Sequence, residues 1–327
     1  LYTLITLSSC KKFVNIPPPI DEITTNQVFS NDNTATAAMI GLYSSMMSNN
    51  LFFSSGALTI YPGLSADEIT NTNNVSSVTE FTNNSLSPGS SILQNQIWRF
   101  CYNYIYQANA IMEGLSNSPT VSVSVKQELT GEAKFVRAFC YFYLVNLFGD
   151  IPLETTTDYR INAVMARTSS AKVYEQLISN LKDATGLLPV NYINNEKTRP
   201  NKWAAEALLA RAYLYQQKWK EAEDAANQVI NSQQYNLDND LNTVFLANSA
   251  EAIWQLQPVM TYPTSNTLEG YAFIPGSGQV PTYTLTQFLL NAFEPGDARK
   301  NYWIDSTIIN GQTFYYPYKY KIKTGNG

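Results

Sequence analysis

Three thiols and no imidazole set the chemistry open to this chain of 327 residues. Cys10 closes a short apolar run, Leu1 to Leu7, behind Ser8 and Ser9; Lys11, Lys12 and the triplet Pro17-Pro18-Pro19 follow. An apolar run ending in small residues and a cysteine is the pattern of a bacterial lipoprotein signal, in which the thiol takes a lipid and becomes the mature N-terminus. The run falls far short of the about 20 apolar residues that a bilayer span needs. It begins without Met, so residues 1–10 are expected to be the end of a longer signal, with residues 11–26 a proline-rich tether. A small buried or free thiol near a chain end is the plainer alternative for Cys10.

The absence of histidine removes Ser-His-Asp and Cys-His nucleophilic sites, His-ligated zinc and imidazole acid–base chemistry together. Cys101 and Cys140 are too few for a thiolate-only zinc site. Both lie in apolar helical patterns and read as small core residues, a disulfide staying open if their helices adjoin in an oxidising compartment. Asp238-Asn239-Asp240 starts like a calcium loop but has Thr243 and Ser249 where the loop needs Gly and Glu. No phosphate-binding glycine loop is present, so no metal or cofactor is expected. Two carboxylates could run glycoside hydrolysis without histidine, yet Asp67, Glu68 and Glu251 have no spacing that singles them out. Asp297 and Arg299 read as a turn cap or ion pair, and Arg137, set in an apolar helix face, as a snorkelling or locally paired cation.

What remains is an aromatic load of 22 Tyr, 15 Phe and 5 Trp. Flat rings with a polar tip suit the apolar faces of sugar rings. Helical aromatics such as Trp98, Trp203 and Trp219 are assigned to the core. Tyr61, Phe81, Tyr271 and Phe273, which lie among turn residues, are the ligand candidates. A net charge of −5 opposes a nucleic-acid partner, and charged residues at 14% leave a polar surface rich in amides and hydroxyls rather than ions.

Periodicity supplies the elements. Asp32 or Asn33 is expected to cap a helix over residues 34–47 that buries Ala38, Leu42, Tyr43 and Met46. Residues 48–90 show no sustained period and read as a long loop. Helices are expected over about 92–115, 125–148 (stopped by Gly149), 173–188, 203–217 and 219–230. In the last pair Ala210, Tyr213, Trp219, Ala222 and Ala226 match a tetratricopeptide-like helix hairpin, with Tyr213 and Trp219 filling the gap at its turn. Beyond Asn231 the period fades, apart from a short helical stretch near 285–293. Residues 252–256 and 313–316 read as short strands. The fold class is therefore mainly α: tetratricopeptide-like helix pairs in a superhelix, long irregular loops and a few short strands.

Several segments together resemble the SusD/RagB family of outer-membrane nutrient-binding lipoproteins. They are Cys10 with its lysines and prolines; Trp98, Tyr102, Ile105, Ala108 and Asn109; Gly131-Glu132-Ala133-Lys134-Phe135-Val136-Arg137-Ala138 leading into Leu147-Phe148-Gly149-Asp150-Ile151-Pro152-Leu153; Lys202-Trp203-Ala204-Ala205 through Arg211; and Pro281-Thr282 to Asp297-x-Arg299. The block from Gly131 to Leu153 is the most specific. The resemblance implies a helical region over residues 27–230 and a loop-rich one over 231–327. It implies a lipid tether at the cell surface and capture of oligosaccharides or other nutrients without catalysis. It also implies delivery to a SusC-like TonB-dependent transporter, with the helical repeats facing that partner. Ligand contacts would come from loop aromatics and polar side chains. The chain stops soon after Lys319-Tyr320, where the family continues with a further helical region, so a C-terminal truncation that uncovers an apolar face is expected. A helical-repeat interaction scaffold without a small ligand is the alternative function, and a two-carboxylate glycosidase the third.

Overall fold

The computed structural model describes residues 25–48, 51–259 and 266–324. It opens with α1 (Thr25–Val28), α2 (Asp32–Met47), α3 (Ala57–Ser65), strand β1 (Ile69–Asn71) and α4 (Ser76–Thr82). A π-helical run, Leu93–Trp98, leads without a break into α5 (Arg99–Asn117). Then come α6 (Val123–Phe148), α7 (Tyr159–Asn162), α8 (Ser170–Leu187), α9 (Lys202–Tyr215) and α10 (Trp219–Asn231). Among the described residues only short elements follow: α11 (Leu268–Phe273), β2 (Tyr283–Leu285), α12 (Gln287–Ala292), α13 (Ala298–Tyr302), β3 (Ile304–Ile309) and β4 (Gln312–Pro317). Helices α5, α6, α8, α9 and α10, each packed on the next, build much of the core over the stretches where the periodicity predicts helices.

Helix α2 is capped by Asn31 rather than Asp32 or Asn33, its side chain accepting from the Thr34 amide at 3.1 Å. Asp32 is instead the first helical residue, and its carboxylate accepts from the Ser122 amide at 2.7 Å, joining the starts of α2 and α6. Residues 48–90 are not one loop. They hold two short helices and a strand, and β1 pairs antiparallel with the distant β2, Ile69 opposite Leu285. Residues 252–256 make no ladder; they cross the 197–198 segment through a Gln255 amide bond to the Lys197 carbonyl and a Trp254 indole bond to the Thr198 carbonyl. Residues 313–316 do lie in a strand, β4, paired with β3 across an Asn310-Gly311 turn whose two residues have φ of 51° and 80°.

Helix α6 is the axis of the core. Gly131 lets α8 approach: a Cβ there would lie 3.0 Å from Leu187 Cβ. Gly149, at φ 69°, ends the helix as expected. Asp150 then accepts from the Ser170 amide and hydroxyl at the start of α8, both at 2.8 Å. Ile151 and Thr168 exchange backbone bonds. The stretch from Phe148 to Leu153 is thus the hinge that folds α8 back along α6.

Two charged residues of α6 are buried. Glu132 is fully enclosed and accepts from Tyr43 Oη at 2.6 Å and from Arg199 Nε at 3.1 Å, while Arg199 also reaches Glu128 at 2.7 Å. Burial pushes the Glu132 carboxyl up, against the pull of Arg199 and Tyr43. Arg137 neither snorkels nor pairs locally. It sits between helices, Nη1 donating to Asn109 Oδ1 on α5 and Nη2 to Asn180 Oδ1 on α8, both at 2.7 Å. Burial lowers its pKa.

The hairpin of α9 and α10 turns at Gln217, φ 57°. Ala205, Ala212, Ala222 and Ala225 are buried along it, and Tyr213 is buried near the turn. Ala210 and Ala226 lie at its margin. Trp219 does not fill the turn; it is 62% exposed. Trp203 is buried as assigned, while Trp98 is half-buried, edge-on to Phe148 and under the Arg167 guanidinium.

Glu132→Ala leaves the half-buried Arg199 guanidinium short of its principal partner, and a loss of about 3–5 kcal/mol is expected. Lys134→Ala removes a partly exposed bridge to Asp183 and should cost under about 1 kcal/mol. Urea unfolding followed by circular dichroism separates the two; equal midpoints would contradict the assignment.

Candidate functional site

Helix α5 uses one face to hold the segment that follows the α6 hinge. Tyr102 donates to the Pro152 carbonyl at 2.8 Å. Asn109 donates to the carbonyls of Glu154 and Thr156, at 3.2 and 3.4 Å. Glu113 accepts from the Thr156 hydroxyl at 3.1 Å and from both the amide (2.9 Å) and hydroxyl of Thr157. Tyr141, from α6, adds a bond to the Glu154 carbonyl at 2.7 Å. Partial burial raises the Glu113 carboxyl, but the Thr157 and Thr156 donors outweigh it and leave the group below its ordinary value.

Beyond this pinned segment α5 borders an open groove of about 650 Å³. Tyr106, Ala110, Glu113, Gly114 and Asn117 supply the helical wall at helical spacing, and residues 29–30, 118–120 and Thr157 supply the rest. The groove is held rigidly. Ser118 Oγ donates to the Phe29 carbonyl at 2.6 Å and accepts from the amides of Thr120 and Val121. Gly114 is required beneath Phe29, because a Cβ there would fall 2.1 Å from the ring. A second, smaller depression of about 430 Å³ lies between α8 and the α9–α10 turn, with Tyr174, Lys182, Asp183 and Lys218 on its walls.

The sequence-derived ligand candidates lie elsewhere. Tyr61 and Phe81 are buried and stacked on one another, centroids 4.8 Å apart, and Tyr61 Oη donates to Gln96 at 2.6 Å. Phe273 is buried edge-on to Tyr283. These three rings offer no face to a ligand here, because the loops expected around them are packed helices and strands. Tyr271 is half-buried with the Lys323 ammonium 5.3 Å from its centroid. The structure does not bring the four together as one exposed surface. Cys10 lies outside the described residues.

Cys101, on α5, and Cys140, on α6, are free thiols, both fully buried; burial pushes Cys101 up. Among the described residues no group of three or more His, Cys, Asp or Glu could hold a metal ion. Asp238 is occupied by Thr243 at 2.6 Å, and Asp297 caps α13 while gripping Arg299. No described helix is long and apolar enough to cross a membrane.

Comparison with known proteins gives one consistent result. A SusD-like family model, described as starch-binding and associating with the outer membrane, matches residues 13–214. A SusD-like protein of Formosa agariphila is 26% identical over 274 residues, covering 78% of this chain and 50% of its own. A SusD-like protein of Bacteroides ovatus is 28% identical over 125 residues, covering 37% of this chain and 22% of its own. This chain spans about half the length of the curated relatives that match most of it. A SusD superfamily structure from Bacteroides vulgatus superposes with a TM-score of 0.77 at 24% identity, covering 90% of this chain and 70% of that one. The surface glycan-binding protein A of Bacteroides fluxus gives 0.73 at 18% identity, covering 89% and 69%. These likenesses show the fold.

Glu113→Gln should lower stability at neutral pH by about 1 kcal/mol, the surface position being screened by solvent. A carboxyl held below its unfolded value stabilises above the unfolded pKa of about 4.3 and loses that contribution as pH falls through the folded one. The gap between wild type and Glu113→Gln, measured by urea titration, should therefore close between about pH 5 and 3; a gap that widens on acidification would contradict the pinning bonds.

Proposed function

Since the chain belongs to the SusD-like family, we propose that it binds oligosaccharides at a bacterial cell surface and passes them to a SusC-like TonB-dependent outer-membrane transporter. In this reading an acyl group on Cys10 holds the body to the membrane through residues 11–26, and the family description supplies the association with the outer membrane. The family match over residues 13–214 carries the proposal. The structure supports it in two further ways. The buried charges of α6 are engaged with protein partners rather than open to a substrate. The surface keeps exposed rings, Tyr106, Tyr215 and Trp219 among them, within a shell rich in amides and hydroxyls. Such a shell recognises sugar by stacking and neutral hydrogen bonds, without a bond-breaking step.

The test is titration of the purified protein against maltoheptaose, cellohexaose, xylohexaose and mannohexaose, followed by intrinsic fluorescence. Saturable binding to at least one, with no hydrolysis products, is expected. Release of shorter sugars would instead establish a glycosidase, and no binding with recovery of protein partners would favour an interaction scaffold. The anchor is tested separately: in the bacterial host, a labelled fatty-acid analogue should mark wild type and not Cys10→Ala. Equal labelling of both would remove the anchor.

A further inference from the structure

We propose that the groove along α5 from Tyr106 to Asn117 is a binding site for a neutral oligosaccharide, with the Tyr106 ring as stacking platform and the Asn117 amide as hydrogen-bonding partner. The proposal rests on the glycan-binding reading and assigns it a place and a ligand class.

Helix α5 carries three tyrosines within five residues, and two of them are committed to the protein. Tyr102 Oη is bonded to the Pro152 carbonyl and Tyr104 Oη to the Ser45 carbonyl. Tyr106 is different: it is 50% exposed and, among the described residues, makes neither a hydrogen bond through its hydroxyl nor a ring contact. Asn117, at the other end of the same wall, is exposed and its side-chain amide likewise has no partner among the described residues. A free ring face and a free amide, both opening on one groove, supply the two contacts a pyranose takes: stacking on its apolar face and hydrogen bonds to its hydroxyls.

Size and charge narrow the ligand. At about 650 Å³ the groove falls within the range of small-molecule sites. Tyr106 and Asn117 stand eleven residues apart on α5, about 16 Å along the axis, so a ligand touching both is an extended oligomer rather than a single sugar. No lysine or arginine lines the groove. Its one carboxylate, Glu113, already accepts three hydrogen bonds from Thr156 and Thr157. A uronate or sulfate group would find no cation among the lining side chains, the Lys126 ammonium being bonded to the Ser118 carbonyl, and would meet a carboxylate, in a chain of net charge −5. The selected class is therefore uncharged. The walls need no reordering: Ser118 and Gly114 fix Phe29, and Glu113 fixes Thr157, so little conformational entropy is lost on binding.

The experiment is isothermal titration with whichever of the four neutral oligosaccharides wild type binds, and with oligogalacturonate as the acidic counterpart. Tyr106→Ala is expected to weaken binding about five- to tenfold, Asn117→Ala about threefold, and Tyr106→Phe, which keeps the ring, less than about twofold. Lys220→Ala, an exposed substitution on α10 outside the groove, should bind as wild type does. Thermal unfolding of each variant confirms the fold, since both groove residues are exposed. Unchanged affinity in a folded Tyr106→Ala overturns the groove and leaves glycan binding standing. Tyr106-dependent binding of oligogalacturonate overturns the neutral class. Failure of wild type to bind any of the four neutral probes overturns the groove together with the reading beneath it.

Discussion

Arg137 is a buried cation that makes no salt bridge among the described residues, and the packing of the three central helices depends on how it is satisfied. Its two terminal nitrogens are shared between amides on α5 and α8, so the guanidinium acts as a three-helix clasp. Removing either amide would leave a charge in the core with fewer bonds than its desolvation demands. Asn109 also donates its own N–H group to the carbonyls of residues 154 and 156. One chain of bonds thus runs from α8 through α6 to α5 and out to the segment beyond the hinge. Glu132 does the same on another side of α6, linking α2 and the stretch before α9.

This arrangement explains why the block from Gly131 to Leu153 is the most recognisable part of the sequence while holding neither of the side chains proposed to meet a ligand. Its glycine admits α8, its glutamate and arginine bind inward, and its Gly-Asp-Ile-Pro run closes the hinge and starts the next helix. In the proposed reading, residues that recognise a ligand are left to surfaces the clasp holds but does not occupy. The wall of the α5 groove is such a surface, because α5 spends Tyr102, Asn109 and Arg137's bond on the interior and leaves Tyr106 and Asn117 outside.

The long helices were legible because their burial follows a 3.6-residue period over four or more turns, and Gly149 ends α6 where a left-handed residue is needed. The structure between residues 48 and 90 was not. Its helices run nine and seven residues, contain Pro62 or many Ser and Thr, and gain their burial from partners such as Leu268 and β2 that lie some two hundred residues away. Tyr61 and Phe81 looked like loop aromatics for that reason and are core. Trp219 erred in the opposite direction: the repeat pattern assigned it to the turn, but Gln217 takes the left-handed position and the indole points outward. The groove had a partial signal in the spacing of Tyr106, Ala110, Glu113 and Asn117. The other walls come from residues 29–30, 118–120 and 157, whose approach is fixed only by tertiary bonds.

The clasp is tested most directly by a double-mutant cycle on Arg137→Met and Asn109→Leu, with unfolding free energies from urea titration. The bond predicts a coupling of about 1 kcal/mol or more, the double variant losing less than the two single losses combined. Losses that add to within about 0.3–0.5 kcal/mol would show that the two side chains act independently, and the account of the core would fail.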